Sequence, residues 1–194
     1  MISLNEYNKI FSDNVEFIKK RTKINDSKAL FESVQNNVMK EFDVFISYSS
    51  KDKAHAIFVK RFLEAHNFSV YIDLYDDVLN PNNVNDKTAR VLEERIRSCK
   101  AIIYIHSQNS ELSVWCPWEL GFGGGTNKKI SIFEIYTDKE SYEQIYTDLY
   151  PCFEIKKCTD GTYSSFVFDR KNNKKYMSFS SFIKDGKEWK EIKR

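Results

Sequence analysis

The chain has 194 residues, 30 basic and 28 acidic, for a net charge of +2, and 15% of it is aromatic. That length suits one domain with an extension or two and a core that needs no staples. The composition is too aromatic for a disordered chain and too evenly charged to argue for nucleic acid or an anionic membrane surface. Apolar runs such as Ala101–Ile105 fall far short of the roughly 20 residues that cross a bilayer, and Met1–Glu6 lacks the basic start and apolar core of a secretion signal. Cys99, Cys116, Cys152 and Cys158 make no C-x-x-C pair and no metal-ligand spacing, so a reduced cytoplasmic protein without a metal is expected.

Residues 1–40 read as a helical N-terminal extension. Leu4, Tyr7, Phe11, Val15 and Ile18 form one apolar stripe, and Asp26-Ser27 can cap a second helix carrying Phe31, Val34 and Val38. Packing on its own domain is favoured over pairing of copies, because most amphipathic helices cover their own core. Asp43–Ser47 then reads as a strand, and Lys53–His66 as a helix with Ala54, Phe58, Phe62 and Ala65 on one face. Ser69–Ile72 is a second strand, Leu74–Asp86 an Asp- and Asn-rich loop with Pro81, and Lys87–Ser98 a helix. Ala101–His106 is an unbroken apolar strand, as burial on both faces requires. A helix over Trp115–Phe122 is expected to stop at Gly123-Gly124-Gly125, followed by a strand at Ile130–Ile135, a helix at Glu140–Leu149 and a fifth, edge strand at Phe153–Ile155.

This alternation predicts an α/β fold, a flavodoxin-like doubly wound parallel sheet over residues 42–155. Ligands in such sheets bind beyond the carboxyl ends of the strands, where Ser47–Lys53, Asp73–Asp86 and His106–Glu119 are expected. Residues 156–194 read as a C-terminal extension packed on this domain: Phe166–Phe168 and Tyr176–Ser178 flank Arg170–Lys174 as a β-hairpin, and Ser180–Lys193 closes with a helix.

One constellation on that edge carries chemistry: Ser113-Val-Trp115-Cys116-Pro-Trp118-Glu119. Pro117 fits the first turn of a helix, whose amides have no intrahelical partner. Glu119 admits two readings. Among aromatics a carboxylate can be raised in pKa, hold ribose hydroxyls and stabilise an oxocarbenium-like centre; equally, it can complement a helix N-terminus while the tryptophans fill the core.

Phe42-Asp-Val-Phe-Ile-Ser-Tyr-Ser-Ser-Lys-Asp52 resembles the opening strand and loop of TIR (Toll/interleukin receptor) domains. Val70–Asp73 resembles their second strand, residues 74–86 the BB loop, and Ser107–Ser110 with Ser113-x-Trp115-Cys116-x-x-Glu119-Leu120 the third strand's exit and next helix of NAD-consuming bacterial members, the Thoeris-like defence proteins included. The resemblance implies cleavage of the nicotinamide–ribose bond of NAD, as substrate rather than cofactor, followed by hydrolysis, cyclisation or transfer of the ADP-ribosyl group. It implies a catalytic Glu119, four residues after Trp115, with Ser47, Tyr48 and Ser49 contacting nicotinamide and ribose, and Asp73, Trp115 and Cys116 lining the site. It further implies self-assembly through Leu74–Asp86 and a separate effector protein that senses the product. Two other readings stay open: a non-enzymatic TIR module that docks partners, since fold does not settle function, and a nucleoside deoxyribosyltransferase with a related fold and glutamate.

The remaining signals read as structural. Gly121-x-Gly-Gly-Gly-Thr126 follows a helix and precedes a strand, the reverse of a phosphate loop. His106 suits an ordinary strand-end hydrogen bond, His55 and His66 the surface, and Cys116 packing. Asp73, Asp76 and Asp77 are as suited to hydrating a loop as to touching substrate.

Overall fold

A computed structural model describes residues 41–73, 86–135 and 146–192. In chain order these give β1 (Phe42–Ser47), α1 (Lys53–Ala65), β2 (Val70–Tyr71), α2 (Asp86–Arg97), β3 (Cys99–His106), a single turn α3 (Gln108–Glu111), α4 (Trp115–Gly125), β4 (Lys129–Glu134), β5 (Cys152–Lys157), β6 (Tyr163–Phe168), β7 (Lys175–Ser178), a short α5 (Phe179–Ile183) and β8 (Lys190–Glu191). The expected N-terminal helices, nearly all of the Leu74–Asp86 loop and most of the Glu140–Leu149 helix lie outside the described residues; Thr147–Leu149 is a 3₁₀ turn.

The strands form one sheet in the order β2-β1-β3-β4-β5-β6-β7-β8. The first five run parallel, with Val44 beside Val70 and Ala101, and Ile132 beside both Tyr104 and Cys152. The order 2-1-3-4-5 is the flavodoxin-like doubly wound arrangement. Side chains alternate across each strand. Val44, Ile46, Ile103 and Ile105 meet Phe58, Val59, Phe62 and Leu63 of α1 on one face, and Phe45, Ile102, Tyr104 and Ile132 meet Leu92 and Ile96 of α2 and Cys116 and Leu120 of α4 on the other. Ala54, expected on the buried stripe of α1, is exposed; the stripe begins at Ala56.

Three expectations are corrected. The glycine run does not end α4 but lies inside it: a Cβ on Gly123 would sit 2.2 Å from Ile102 Cδ1, and one on Gly124 2.7 Å from the Tyr150 hydroxyl. These glycines let the helix lie close on β3 and β4. The helix stops instead at Asn127, in the left-handed conformation (φ 54°), where Lys128 N–H donates to Gly123 O and Asn127 N–H to Gly124 O, a Schellman cap. α1 ends the same way on Asn67, with Phe68 N–H donating to Leu63 O and Asn67 N–H to Glu64 O.

Second, β5 is not an edge, because β6, β7 and β8 continue the same sheet antiparallel, from Cys152 opposite Phe168 to Tyr176 opposite Lys190. The expected hairpin is therefore β6–β7. Third, Ser180–Lys193 is not one helix: α5 ends at Ile183, Asp185 turns with positive φ, and the chain returns as β8. Arg170 fastens this part to the parallel half by pairing with Glu134 at the end of β4.

Candidate active site

β1 lies between β2 and β3, so the chain winds away in both directions from its carboxyl end. That is the topological switch point, where doubly wound sheets open a crevice. Ser47 ends β1 on the same face as Phe45, toward α4. Glu119, in the second turn of α4, is 5% exposed, and its Oε2 accepts a hydrogen bond from Ser47 Oγ at 2.5 Å. Burial raises the Glu119 pKa to about 8; the charge of Asp73 adds to the rise and the Ser47 bond opposes it. Desolvation dominates because a carboxylate taken out of water loses more than one hydroxyl returns.

Cys116, one turn before Glu119, is 1% exposed, and its thiol is pushed up to about 12 by burial and then by Glu119. A thiol held that far from ionisation is packing, not a nucleophile. Pro117 sits in the first turn of α4, and Ser113 Oγ accepts the Cys116 amide at 3.3 Å. Trp115 is half-buried, edge-on to Trp118 with ring centroids 5.7 Å apart.

The fold thus gathers Ser47, Asp73, Cys116 and Glu119, with Trp115 on the same helix. It does not bring in the Tyr48 ring, which packs in the α1-side cluster. Ser49 is buried, and its carbonyl accepts the Asp52 amide at 2.7 Å. His106 faces Glu111 Oε1 at 3.1 Å, the ordinary hydrogen bond expected of it. His55 and His66 are half-buried rather than on the surface, and the two ring nitrogens of His66 face Phe62 O and Tyr163 O.

Sequence reasoning passed over Asp52, Ser107 and Asn109, which bind one another across the crevice. All three lie within the motifs that carry the family resemblance, Asp52 at the end of the first and Ser107 and Asn109 at the exit of the third strand, but no spacing signalled that they bind one another. A cleft of about 730 Å³ lined by Asp43, His66, Lys100, Ser164 and Lys184 lies at the seam with β6 and α5; it contains no residue of the Glu119 group. Among the described residues no group of three or more His, Cys, Asp or Glu is placed to hold a metal ion, and no helix is long and apolar enough to cross a membrane.

The TIR domain profile matches residues 44–150. The chain belongs to the TIR domain family. This TIR protein is 29% identical over 187 residues, covering 91% of its own length and 95% of the relative's, to a Bacillus cereus (strain MSX-D12) protein named probable 3′ cyclic ADP-D-ribose synthase ThsB′. It is 32% identical over 113 residues to a Cytobacillus dafuensis protein with the provisional name cyclic ADP-D-ribose synthase TIR2; that match spans 56% of this chain and 28% of the relative. The crystal structure of the TIR domain of Toll-related receptor TRR-2 from Hydra magnipapillata overlaps 54% of this chain and 77% of its own, at 19% identity and a TM-score of 0.41, too loosely to support an argument.

Proposed function

We propose that this protein is an NAD-consuming TIR enzyme of the cyclic ADP-ribose synthase type, with Glu119 as its catalytic carboxylate. The observation that carries the proposal is a buried carboxylate, raised in pKa and held by a serine hydroxyl at the switch point of the sheet. The family supports the choice of substrate. The similarity to a probable cyclic ADP-D-ribose synthase, which covers 91% of this chain and 95% of that protein, supports cyclisation over plain hydrolysis.

In NAD the nicotinamide nitrogen is cationic. The glycosidic bond breaks with its electron pair going to that nitrogen, nicotinamide leaves neutral, and positive charge moves to the anomeric carbon and ring oxygen. With a pKa near 8, Glu119 is largely protonated at neutral pH before NAD binds; the incoming pyridinium favours loss of that proton. The resulting carboxylate then stabilises the oxocarbenium-like centre. Ser47 occupies one of its oxygens and leaves the other for ribose. A hydroxyl of the adenosine ribose adds to the anomeric carbon and gives its proton to Glu119, closing the ring; water in its place yields linear ADP-ribose. Trp115 and Asp73 are the proposed walls. In a Thoeris-type defence setting the product is a diffusible signal for a separate effector protein.

Purified protein incubated with NAD, with nicotinamide and nucleotide products separated by chromatography, tests this. The native protein is expected to release nicotinamide and a cyclic product, and Glu119→Gln to lose about 100-fold or more. No release at high protein concentration would favour the docking reading, which has one observation of its own: Leu112 and Val114, in the turn before α4, are 83% and 69% exposed.

A further inference from the structure

We propose that Asp52 is a positioning residue of the Glu119 site: it ties the exit of β1 to the exit of β3 and so holds Ser47 against Glu119. The inference rests on the reading of that site given above. Asp52 stands immediately before α1, where an aspartate ordinarily accepts a hydrogen bond from the first-turn amides of its own helix. It makes no such bond. Both of its oxygens reach across to the other loop instead. Oδ2 accepts the Ser107 hydroxyl, and Oδ1 accepts Asn109 Nδ2 at 2.8 Å, with the residue 4% exposed.

The chemistry of Ser107 demands an acceptor there. Its hydroxyl oxygen already accepts the Asn109 and Ser110 amides, each at 3.1 Å, as the cap of α3. Its own amide donates to Ser110 Oγ at 3.0 Å. With its lone pairs taken, the hydroxyl can only donate, and the Asp52 carboxyl group offers one oxygen to it and the other to the Asn109 amide. An asparagine in place of Asp52 offers one acceptor oxygen where two donors converge.

Topology gives the tie its consequence. β1 and β3 are neighbours, with Ser47 beside Tyr104. Asp52 follows the Ser47–Ser49 segment and holds it further through its amide on Ser49 O. Ser107 follows the last residue of β3, and α3 leads through Leu112–Val114 directly into α4, which carries Glu119. One buried carboxylate therefore fixes both the segment that donates to Glu119 and the corner from which its helix starts.

The experiment compares native protein with Asp52→Asn and Asn109→Ala by hydrogen–deuterium exchange, circular dichroism and NAD turnover. In Asp52→Asn, exchange in 48–52 and 107–111 is expected to rise together by about tenfold, with the middle of α1 and β4 unchanged. kcat is expected to fall about 10- to 100-fold with KM little altered, since a small misplacement of reacting groups costs that much. Asn109→Ala should give a smaller effect of the same kind. Ser47→Ala combined with Asp52→Asn should turn over no more slowly than the worse single variant, because both act through one contact. Exchange confined to the first turn of α1, or unchanged turnover per folded molecule, overturns the proposal. Should the native protein release no nicotinamide, the proposed function falls. The exchange arm then still decides: joint loosening of the two loops with the strand-end amide of Ser47 supports the tie, and separate loosening overturns it.

Discussion

Glu119→Gln is expected to stabilise the fold while removing its proposed chemistry, and the gain depends on pH. The glutamate stands at about 8 in the folded protein against an ordinary 4.5, chiefly through burial. Between those values the folded chain holds a proton that the unfolded chain has lost. Stability therefore falls as pH rises through that window and levels off above about 8. At about 1.4 kcal/mol for each tenfold change in proton affinity, the ceiling is on the order of 5 kcal/mol; relaxation and water entry bring the expected value to about 2–4 kcal/mol. Glutamine does not titrate, and its amide oxygen can still accept the Ser47 hydroxyl. Urea unfolding of both proteins at pH 5, 7 and 9 measures the gap. With a slope of about 2 kcal/mol/M, the midpoint of Glu119→Gln should exceed the native one by about 1–2 M at pH 9 and nearly coincide with it at pH 5. A gap that does not change with pH, or a variant less stable at pH 9, refutes the account of a carboxylate raised by burial.

Gly121→Ala and Gly123→Ala should move stability in opposite directions. A Cβ on Gly121 meets nothing within 4 Å, so a helix-propensity gain of about 0.5–1 kcal/mol is expected, whereas on Gly123 it would strike the buried Ile102 Cδ1 at 2.2 Å, with a net loss of about 1–2 kcal/mol. Unfolding midpoints that move together would contradict this packing. Arg170→Ala strands the Glu134 carboxylate, which is 8% exposed; a loss of about 2–3 kcal/mol is expected, with partial recovery in Arg170→Ala/Glu134→Leu, both measured by urea unfolding.

The parallel half was legible because its signals are local and periodic. Ala101–Ile105 is apolar without a break, and every one of its side chains is buried between two layers of helices. Phe58, Phe62 and Ala65 repeat at helical spacing and face the sheet. Elsewhere tertiary contacts overrode local rules. Three glycines in a row argue for a helix end, yet the close approach of α4 to Ile102 and Tyr150 requires Gly123 and Gly124 inside the helix, and Asn127 performs the stop. Phe153–Ile155 is short enough to read as an edge; its outer partner, β6, is set by a pairing no local pattern announces. At the site, Trp115, Cys116 and Glu119 stood out because they lie within five residues of one another, but the tie through Asp52 spans 55 residues to Ser107 and has no periodicity to betray it. Tyr48 shows the limit of a motif read as a string: its side chain packs in the α1-side core, so of the Tyr48 contacts expected there the backbone is the part left facing the site.

The antiparallel strands beyond β5 also govern how this protein can be handled as a fragment. Among the described residues the borders of the sheet are β2 and β8, each two residues long, which offer little backbone for another molecule to pair with. A piece cut to the TIR match at residue 150 would instead end on β4, a six-residue strand carrying Ile130, Ile132 and Phe133. A long, apolar, unpaired border of that kind is a template for self-association. Precipitation or inactivity of such a piece would report the uncovered border rather than anything about Glu119.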